Sequence, residues 1–281
     1  MLPFIKSQAY GNDFLLMERT AIGDRDPVAL ARAMCDRHMG AGADGLILYG
    51  VTPEGARMQL YNADGGRAEV SGNGVRCLAA LVLDQRGAPP AGPAAGESTG
   101  RPVVIQTDAG AKTLTPIERS DGRITFRAAM GAARDVSPAE VLVGDRPVRA
   151  ILLSMGNPHC VVPGTLPPEE EFRRLGSALE RHPRFPEGTN IEFAEMRGPG
   201  ALHILIWERG VGPTMSSGTG TCAAAAAIAS LTPGDRDFTV TAPGGTQRVE
   251  IRADDIYLTG WAELVYEGRW PDARGDAGRP D

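Results

Sequence analysis

The stretch SGNGVRCLA at residues 71–79 has a counterpart in SGTGTCAA at residues 217–224. Each copy begins with a serine, continues with a Gly-x-Gly turn and ends in an apolar run that favours a helix. A serine N-cap and glycines in the first turn leave backbone N–H groups available at a helix start. The repeat predicts two similar halves, with two helix starts facing one ligand from opposite sides.

Composition narrows the classes of protein that fit this chain. It has 281 residues, 42% of them hydrophobic and 23% charged, with a net charge of −6. No cluster of Lys or Arg stands out, so nucleic acid and anionic membranes are poor partner candidates. The sequence shows neither a signal peptide nor an apolar run of membrane-spanning length. We therefore expect a cytoplasmic protein in which the four cysteines are reduced thiols.

Cofactor motifs are also weak. Lys6 lies in a strand pattern and Lys112 in a turn, so neither favours a Schiff base with pyridoxal phosphate. The stretch Gly40–Gly45 matches the dinucleotide fingerprint, but a predicted helix precedes it and a strand follows, which reverses the required order. We interpret it as a glycine turn. The sequence predicts no metal site and no organic cofactor.

The pattern along the chain predicts an α+β protein. It has many short strands and about two helices in each half, and their alternation is too irregular for a doubly wound parallel sheet. The helices are predicted over residues 27–39, 74–86, 168–181 and 220–231. A Pro/Gly/Ala-rich loop at 87–101 and a polar tail at 270–281 are expected at the surface.

Polar clusters flank the two repeated motifs. Three of these clusters contain an asparagine. Its side chain supplies both a hydrogen-bond acceptor for an amino acid's ammonium and a donor for its carboxylate. The clusters are Tyr61–Gly66 and Trp207–Gly212 before the motifs, and Met155–Cys160 and Gly188–Glu192 in the middle of the chain. These observations predict a binding site for a small amino acid.

At this point the sequence resembles the diaminopimelate epimerases, within the wider group of cofactor-independent amino-acid racemases and epimerases. The matching stretches run in the family's order across nearly the whole chain. They are Gly11–Phe14, Cys35–His38, Gly42–Gly45, Asn62–Gly65, Gly72–Cys77, Met155–Cys160, Asn190–Phe193, Trp207–Gly210 and Gly218–Gly220.

The resemblance implies two pseudo-symmetric domains, each a β-barrel-like sheet around a central helix, with the ligand in the cleft between them. We place the first domain at 1–117, completed by 262–281, and the second at 118–261. The family converts LL- to meso-diaminopimelate for lysine and peptidoglycan synthesis. One cysteine removes the α-proton and a second delivers a proton to the opposite face, without metal or cofactor.

This chain departs from the family at both acid/base positions, where Ser71 and Ser217 replace the two cysteines. A thiol has a pKa near 8.5, which a helix N-terminus lowers further, whereas a serine hydroxyl is a far weaker acid. Three interpretations remain open. The chain is an epimerase with turnover reduced by several orders of magnitude, a homologue using serine chemistry such as a hydroxyproline-type dehydratase, or a non-catalytic amino-acid binder.

The resemblance also assigns roles to individual residues. Ser71 and Ser217 occupy the acid/base positions, and His159 and Glu208 orient or activate them. The remaining residues bind substrate: Gly72, Asn73, Gly218 and Thr219 hold the α-carboxylate, Asn62, Asn190, Glu208 and Arg209 hold the distal amino-acid group, and Asn12 and Asn157 complete the cage. Tyr266 matches a position associated with contacts in a homodimer.

Overall fold

The computed structural model describes residues 1–87, 101–231, 234, 236–253 and 255–271. The strands are β1 (Leu2–Ala9), β2 (Asn12–Glu18), β3 (Gly45–Val51), β4 (Gly55–Asn62), β5 (Arg67–Ala68), β6 (Val103–Thr107), β7 (Gly110–Ser120), β8 (Arg123–Ala129), β9 (Arg134–Val143), β10 (Arg146–Ser154), β11 (Pro158–Pro163), β12 (Asn190–Gly198), β13 (Ala201–Glu208), β14 (Gly212–Thr214), β15 (Asp237–Ala242), β16 (Gly245–Ile251) and β17 (Ile256–Trp270). The helices are α1 (Pro27–Cys35), α2 (Gly72–Gln85), α3 (Glu169–Glu180) and α4 (Gly218–Leu231), with a short 3-10 helix at Arg19–Ile22. Most of the predicted loop at 87–101 and of the tail at 270–281 lies outside the described residues.

The first half is a closed barrel around α2. Its strands pair in the order β1, β2, β3, β4, β6, β7, β8 and β17, and β17 pairs with β1 to close the ring. The β2–β3 and β4–β6 pairs are parallel, and the others are antiparallel. The apolar side chains of α2 from Val75 to Leu83 are buried against this ring, so the helix forms the centre of its core.

The second half repeats this arrangement around α4. Strands β9, β10, β11, β12, β13, β15, β16 and β17 pair in that order, again with two parallel pairs, β11–β12 and β13–β15. The alanine-rich run at 223–227 is buried in α4, where small side chains allow close packing against the surrounding strands. Each half also carries an outer helix, α1 or α3, with its own smaller apolar cluster.

The predicted fold class is confirmed: the chain has two pseudo-symmetric α+β halves, each with a sheet around a central helix. Strand β17 joins them, because its first part pairs with β16 and β8 and its last part pairs with β1. Strand β8 pairs with both β7 and β17. The division of the chain at residues 117 and 261 stays a prediction, and residues 272–281 of its first domain lie outside the described residues.

Candidate active site

The two central helices meet at their N-termini. Ser71 caps α2, and its Oγ accepts a hydrogen bond from Gly74 N at 3.2 Å. Ser217 does the same for α4, accepting from Gly220 N at 3.3 Å. A Cβ added to Gly72 would lie 3.6 Å from the Cα of Gly218, so the two glycine turns lie next to each other. The positive N-terminal ends of the two helices together form one region suited to an anion.

Ser217 has a carboxylate partner. Glu208, at the end of β13, lies near the Ser217 hydroxyl. Burial raises the pKa of Glu208, and the interaction with Ser217 opposes that rise. A carboxylate with a raised pKa is a stronger base than an exposed one, so Glu208 is placed to draw the proton of the Ser217 hydroxyl.

A second series of hydrogen bonds links Glu192 and His159 to the first turn of α4. His159 Nδ1 lies 2.8 Å from Glu192 Oε1, and both side chains are fully buried. His159 Nε2 lies 3.0 Å from Asn157 Oδ1, and Asn157 Nδ2 donates to Thr219 Oγ1 at 3.4 Å. Both ring nitrogens of His159 are therefore engaged, and the chain ends on Thr219 in the first turn of α4. Desolvation raises the pKa of Glu192, and the nearby His159 opposes that shift.

The first half contributes a network of amides and charges. Asn12 Nδ2 donates to Asp44 Oδ2 at 2.6 Å, and Asn12 Oδ1 accepts from Asn73 Nδ2 at 3.2 Å. Arg37 forms hydrogen bonds with both Asp13 and Asp44, which fixes the turn after β1 against the segment before β3. Asp44 also raises the pKa of Glu208 in the other half, although less than burial does.

Asn62, the last residue of β4, belongs to the same wall. It pairs with Gly45 in the β3–β4 ladder, directly after Asp44. The adjacent Ala63 N donates to Asp44 O at 3.0 Å, which ties the end of β4 to the segment that holds Asn12. The structure therefore brings Asn62 to the Asn12 side of the cleft.

Asn190 and Arg209 organise the opposite wall. Asn190 Nδ2 donates to Pro158 O at 2.9 Å, and Asn190 Oδ1 accepts from Arg209 N at 3.0 Å. Arg209 Nη1 donates to Glu187 O at 3.4 Å. The buried Asn190 amide thus holds three segments together, so its side chain shapes the loop that presents Glu208 and Arg209.

The thiols lie away from this chemistry. All four cysteines are buried and free of disulfides. Burial raises the pKa of the Cys35, Cys77, Cys160 and Cys222 thiols to about 12. At neutral pH such groups stay protonated, so they are unsuited to accept a proton from a substrate.

Two features are absent from the part of the chain that the structure describes. In it, no three or more His, Cys, Asp or Glu side chains are grouped so as to hold a metal ion. Among the same residues, no helix has both the length and the apolarity needed to cross a membrane.

Sequence reasoning did not single out Glu192, Asp44, Arg76 or Gln247. Glu192 did carry a signal, because it is a charged residue inside the otherwise uncharged, buried stretch 190–194 of β12. A carboxylate at such a position requires a partner, which the fold supplies as His159. Arg76 carries the same signal, because it is the one charged residue in the buried stretch 73–83 of α2. Asp44 and Gln247 join the site through contacts between distant segments, and their surroundings in the sequence give no such signal.

Solved structures share this architecture at low sequence identity. A hydroxyproline epimerase from Agrobacterium vitis superposes with a TM-score of 0.67 at 17% identity, covering 95% of this chain and 90% of that one. A phenazine biosynthesis protein of the PhzF family from Bacillus anthracis gives a TM-score of 0.66 at 14% identity, covering 95% and 98%. The fold is therefore the paired-barrel fold that includes amino-acid racemases and epimerases.

Sequence comparison narrows this class to one family. The family model described as diaminopimelate epimerase matches residues 4–135 and 151–265. The diaminopimelate epimerase of Desulforudis audaxviator (strain MP104C) is 38% identical, over 96% of this chain and 99% of that protein. That of Thermosynechococcus vestitus (strain NIES-2133 / IAM M-273 / BP-1) is 36% identical over the same shares. The chain belongs to the diaminopimelate epimerase family, whose members are isomerases.

Proposed function

We propose that this chain binds diaminopimelate in the cleft and interconverts its LL and meso forms, with turnover strongly reduced by Ser71 and Ser217. The observation that carries the proposal is the contact between the two helix starts, each with a hydroxyl at the position of an acid/base group. Relatives over nearly the whole chain are named diaminopimelate epimerases. The product would serve lysine and peptidoglycan precursor synthesis.

In this proposal the helix starts bind the α-carboxylate. The backbone N–H groups of Gly72, Asn73, Gly218 and Thr219 donate to its oxygens, and the two dipoles stabilise its charge. Carbanion character at the α-carbon is delocalised into the same carboxylate, so these donors also stabilise the transition state. No metal or organic cofactor is required for this step.

Proton transfer would use the two hydroxyls on opposite faces of the α-carbon. Ser217 passes its proton to Glu208 as it accepts the α-proton, and Ser71 donates its hydroxyl proton from the other side. Water then returns a proton to Ser71 and removes one from Glu208, and the reverse reaction runs through the same steps backwards. The support is unequal, because Ser217 has the Glu208 carboxylate whereas Ser71 accepts only the Gly74 N–H. We place His159 as an orienting group, because both its ring nitrogens already have partners.

Specificity for diaminopimelate would come from the distal end of the cleft. Asn62, Asn190, Glu208 and Arg209 would bind the second amino-acid group, with a carboxylate for its ammonium and a guanidinium for its carboxylate. Asn12 and Asn157 complete the cage from the two walls. Lysine has the distal ammonium but lacks the distal carboxylate, so it is the natural control ligand.

Ligand binding and conversion are tested separately. Thermal unfolding with LL-diaminopimelate should show stabilisation, about 2.7 kcal/mol at a concentration one hundred times Kd, and lysine should give much less. Chiral chromatography then measures the meso product over days. Binding without any product would favour the non-catalytic amino-acid binder. Stabilisation and water loss with a hydroxyproline-type ligand, but not with diaminopimelate, would favour serine chemistry on another substrate.

We also propose a cytoplasmic homodimer that uses the surface around Tyr266. This side chain is 45% exposed on β17, and its neighbour Val265 is 50% exposed. Light scattering of the parent chain and of a Tyr266→Glu variant tests the assignment. A dimer that becomes a monomer on substitution supports it, and a monomeric parent contradicts it.

A further inference from the structure

A buried polar cluster links the first motif to the second. It contains Asn73 and Arg76 from α2, Thr221 from α4 and Gln247 from β16, each at most 3% exposed. Four polar side chains at this depth are costly unless their hydrogen bonds are satisfied. Their bonds run from one half of the protein to the other, which makes the cluster a connection between the halves.

Arg76 is the centre of the connection. The Gln247 amide, oriented so that both of its ends are satisfied, accepts from Arg76 Nη1 at 2.8 Å and Nη2 at 2.9 Å. Its nitrogen then donates to Thr221 Oγ1 at 3.0 Å. On the other side Arg76 donates to Asn73 Oδ1. The guanidinium therefore joins the first turns of α2 to α4 through a single glutamine.

Asn73 supplies a second, more direct link. Its Nδ2 lies 3.3 Å from Ser216 O, the carbonyl immediately before Ser217. Asn73 itself is two residues after Ser71. One side chain of the first motif thus bonds to the backbone of the second motif, next to its acid/base position.

The surroundings keep space for this cluster. Gly260 of β17 lies against Arg76 Nη1 and Gln247 Nε2, and a Cβ there would clash with both. The Arg76 guanidinium also lies over the Tyr10 ring, 5.5 Å from its centroid. Among the described residues, the groups that act on the pKa of Arg76 are Tyr10, Cys77 and Cys222, and none of them is a carboxylate. The amide oxygens of Asn73 and Gln247 therefore stabilise this cation by accepting its hydrogen bonds.

We propose that Asn73, Arg76, Gln247 and Thr221 form a bridge that fixes Ser71 and Ser217 opposite each other. Arg76 and Gln247 are then positioning residues for proton transfer in the proposed epimerase reaction. The structural part of this inference stands without the proposed function, whereas its catalytic consequence rests on it. Inversion requires one group to remove a proton from one face of the α-carbon and a second group to donate a proton to the opposite face. A shift of one helix start relative to the other therefore lowers the rate of inversion more than the rate of proton removal.

The test uses Gln247 variants in a Ser71→Cys/Ser217→Cys background, where thiols make proton transfer measurable. Gln247→Met breaks the bridge with a side chain of similar length, and Gln247→Glu keeps an acceptor for Arg76. Thr246→Val is the matched control, because it removes an exposed hydrogen bond to Thr241 from the same strand. Each variant is incubated with LL-diaminopimelate in D₂O, and the α-deuterium gained with retention and with inversion is measured. In a separate experiment without ligand, amide hydrogen exchange measures the opening of the starts of α2 and α4.

The bridge predicts that Gln247→Met lowers inversion relative to retention about tenfold, as expected for loss of hydrogen bonds to a charged group. The same variant should speed amide exchange at both helix starts, and Gln247→Glu should restore both readouts. A loss of folded protein would lower retention and inversion equally and leave their ratio unchanged. Parental values for Gln247→Met in either readout would overturn the proposal. If the background itself does not process diaminopimelate, the proposed function fails, and amide exchange still decides whether the bridge fixes the helix starts.

Discussion

Replacing Glu192 by leucine removes a carboxylate that is fully buried and lies 2.8 Å from His159 Nδ1. The imidazole nitrogen would then have no partner in a site that water does not reach. Breaking a buried pair by removing one member costs about 3–5 kcal/mol, whereas replacing both members with apolar side chains is often nearly neutral. We therefore expect Glu192→Leu to lose about 3–5 kcal/mol of unfolding free energy, and His159→Phe/Glu192→Leu to recover most of it.

Urea unfolding followed by circular dichroism measures these differences. Glu169→Leu is the control, because Glu169 is exposed and pairs with the exposed Arg173 at 2.6 Å. An exposed pair of this kind contributes about 0–1 kcal/mol, so the control should stay close to the parent. The reasoning is refuted if Glu192→Leu loses no more than the control, or if the double variant is less stable than the single one.

Three further predictions concern packing, pH and thiol chemistry. Gly260→Ala should cost about 1–3 kcal/mol of unfolding free energy, because its Cβ would collide with Arg76. Gly50→Ala is the control, because nothing lies within 4 Å of a Cβ added there. Equal losses of unfolding free energy for the two variants in urea would contradict this prediction. Because burial raises the folded-state pKa of Glu192 above its ordinary value of 4.5, its contribution to stability is complete below that pH and is lost as pH rises through the folded pKa. The unfolding free energy of the parent relative to Glu192→Gln should therefore fall from about pH 4.5 upward, and a difference that stays constant or rises with pH would refute this sign. The four cysteines should resist a thiol reagent in the native protein and all react in urea, and fast labelling of the native protein would contradict their burial.

The main outline of the fold is readable from the sequence because it depends on local signals. The serine and glycine pairs at 71–74 and 217–220 do mark two central helices, and the apolar runs after them are their buried cores. Predicted helix 27–39 extends too far: the helix ends at Cys35, because Asp36 Oδ1 accepts from His38 N and Met39 N at 2.7 Å. Those bonds favour a turn over further helix.

The sequence of strand β9 lacks the patterns from which strands are predicted. It is mostly exposed, contains Pro138 and pairs only with β10, so neither apolar alternation nor β-branched runs mark it. The role of strand β17 in both halves depends on long-range pairing that no local pattern encodes.

The same distinction applies to the candidate site. Residues next to the repeated glycine turns could be chosen from the sequence, because the turn itself dictates that they face a ligand. Glu192 acts through His159 from another strand, and Gln247 acts through Arg76 of α2 and Thr221 of α4. Such contacts follow from how the strands close around α2 and α4, which the sequence alone does not specify.

Deuterium uptake at the α-carbon of LL-diaminopimelate in D₂O, compared between the parent and Ser71→Cys/Ser217→Cys, tests the central claim most directly. A thiol is more acidic than a water-like hydroxyl by about seven pKa units. A Brønsted dependence of about 0.5 offsets half of that difference, which leaves about three to four orders of magnitude in rate. The account predicts exchange at least about a thousandfold faster in the double-cysteine variant. Exchange within about tenfold in the two proteins would mean that the serines are competent bases, and exchange in neither would mean that the cleft serves another ligand.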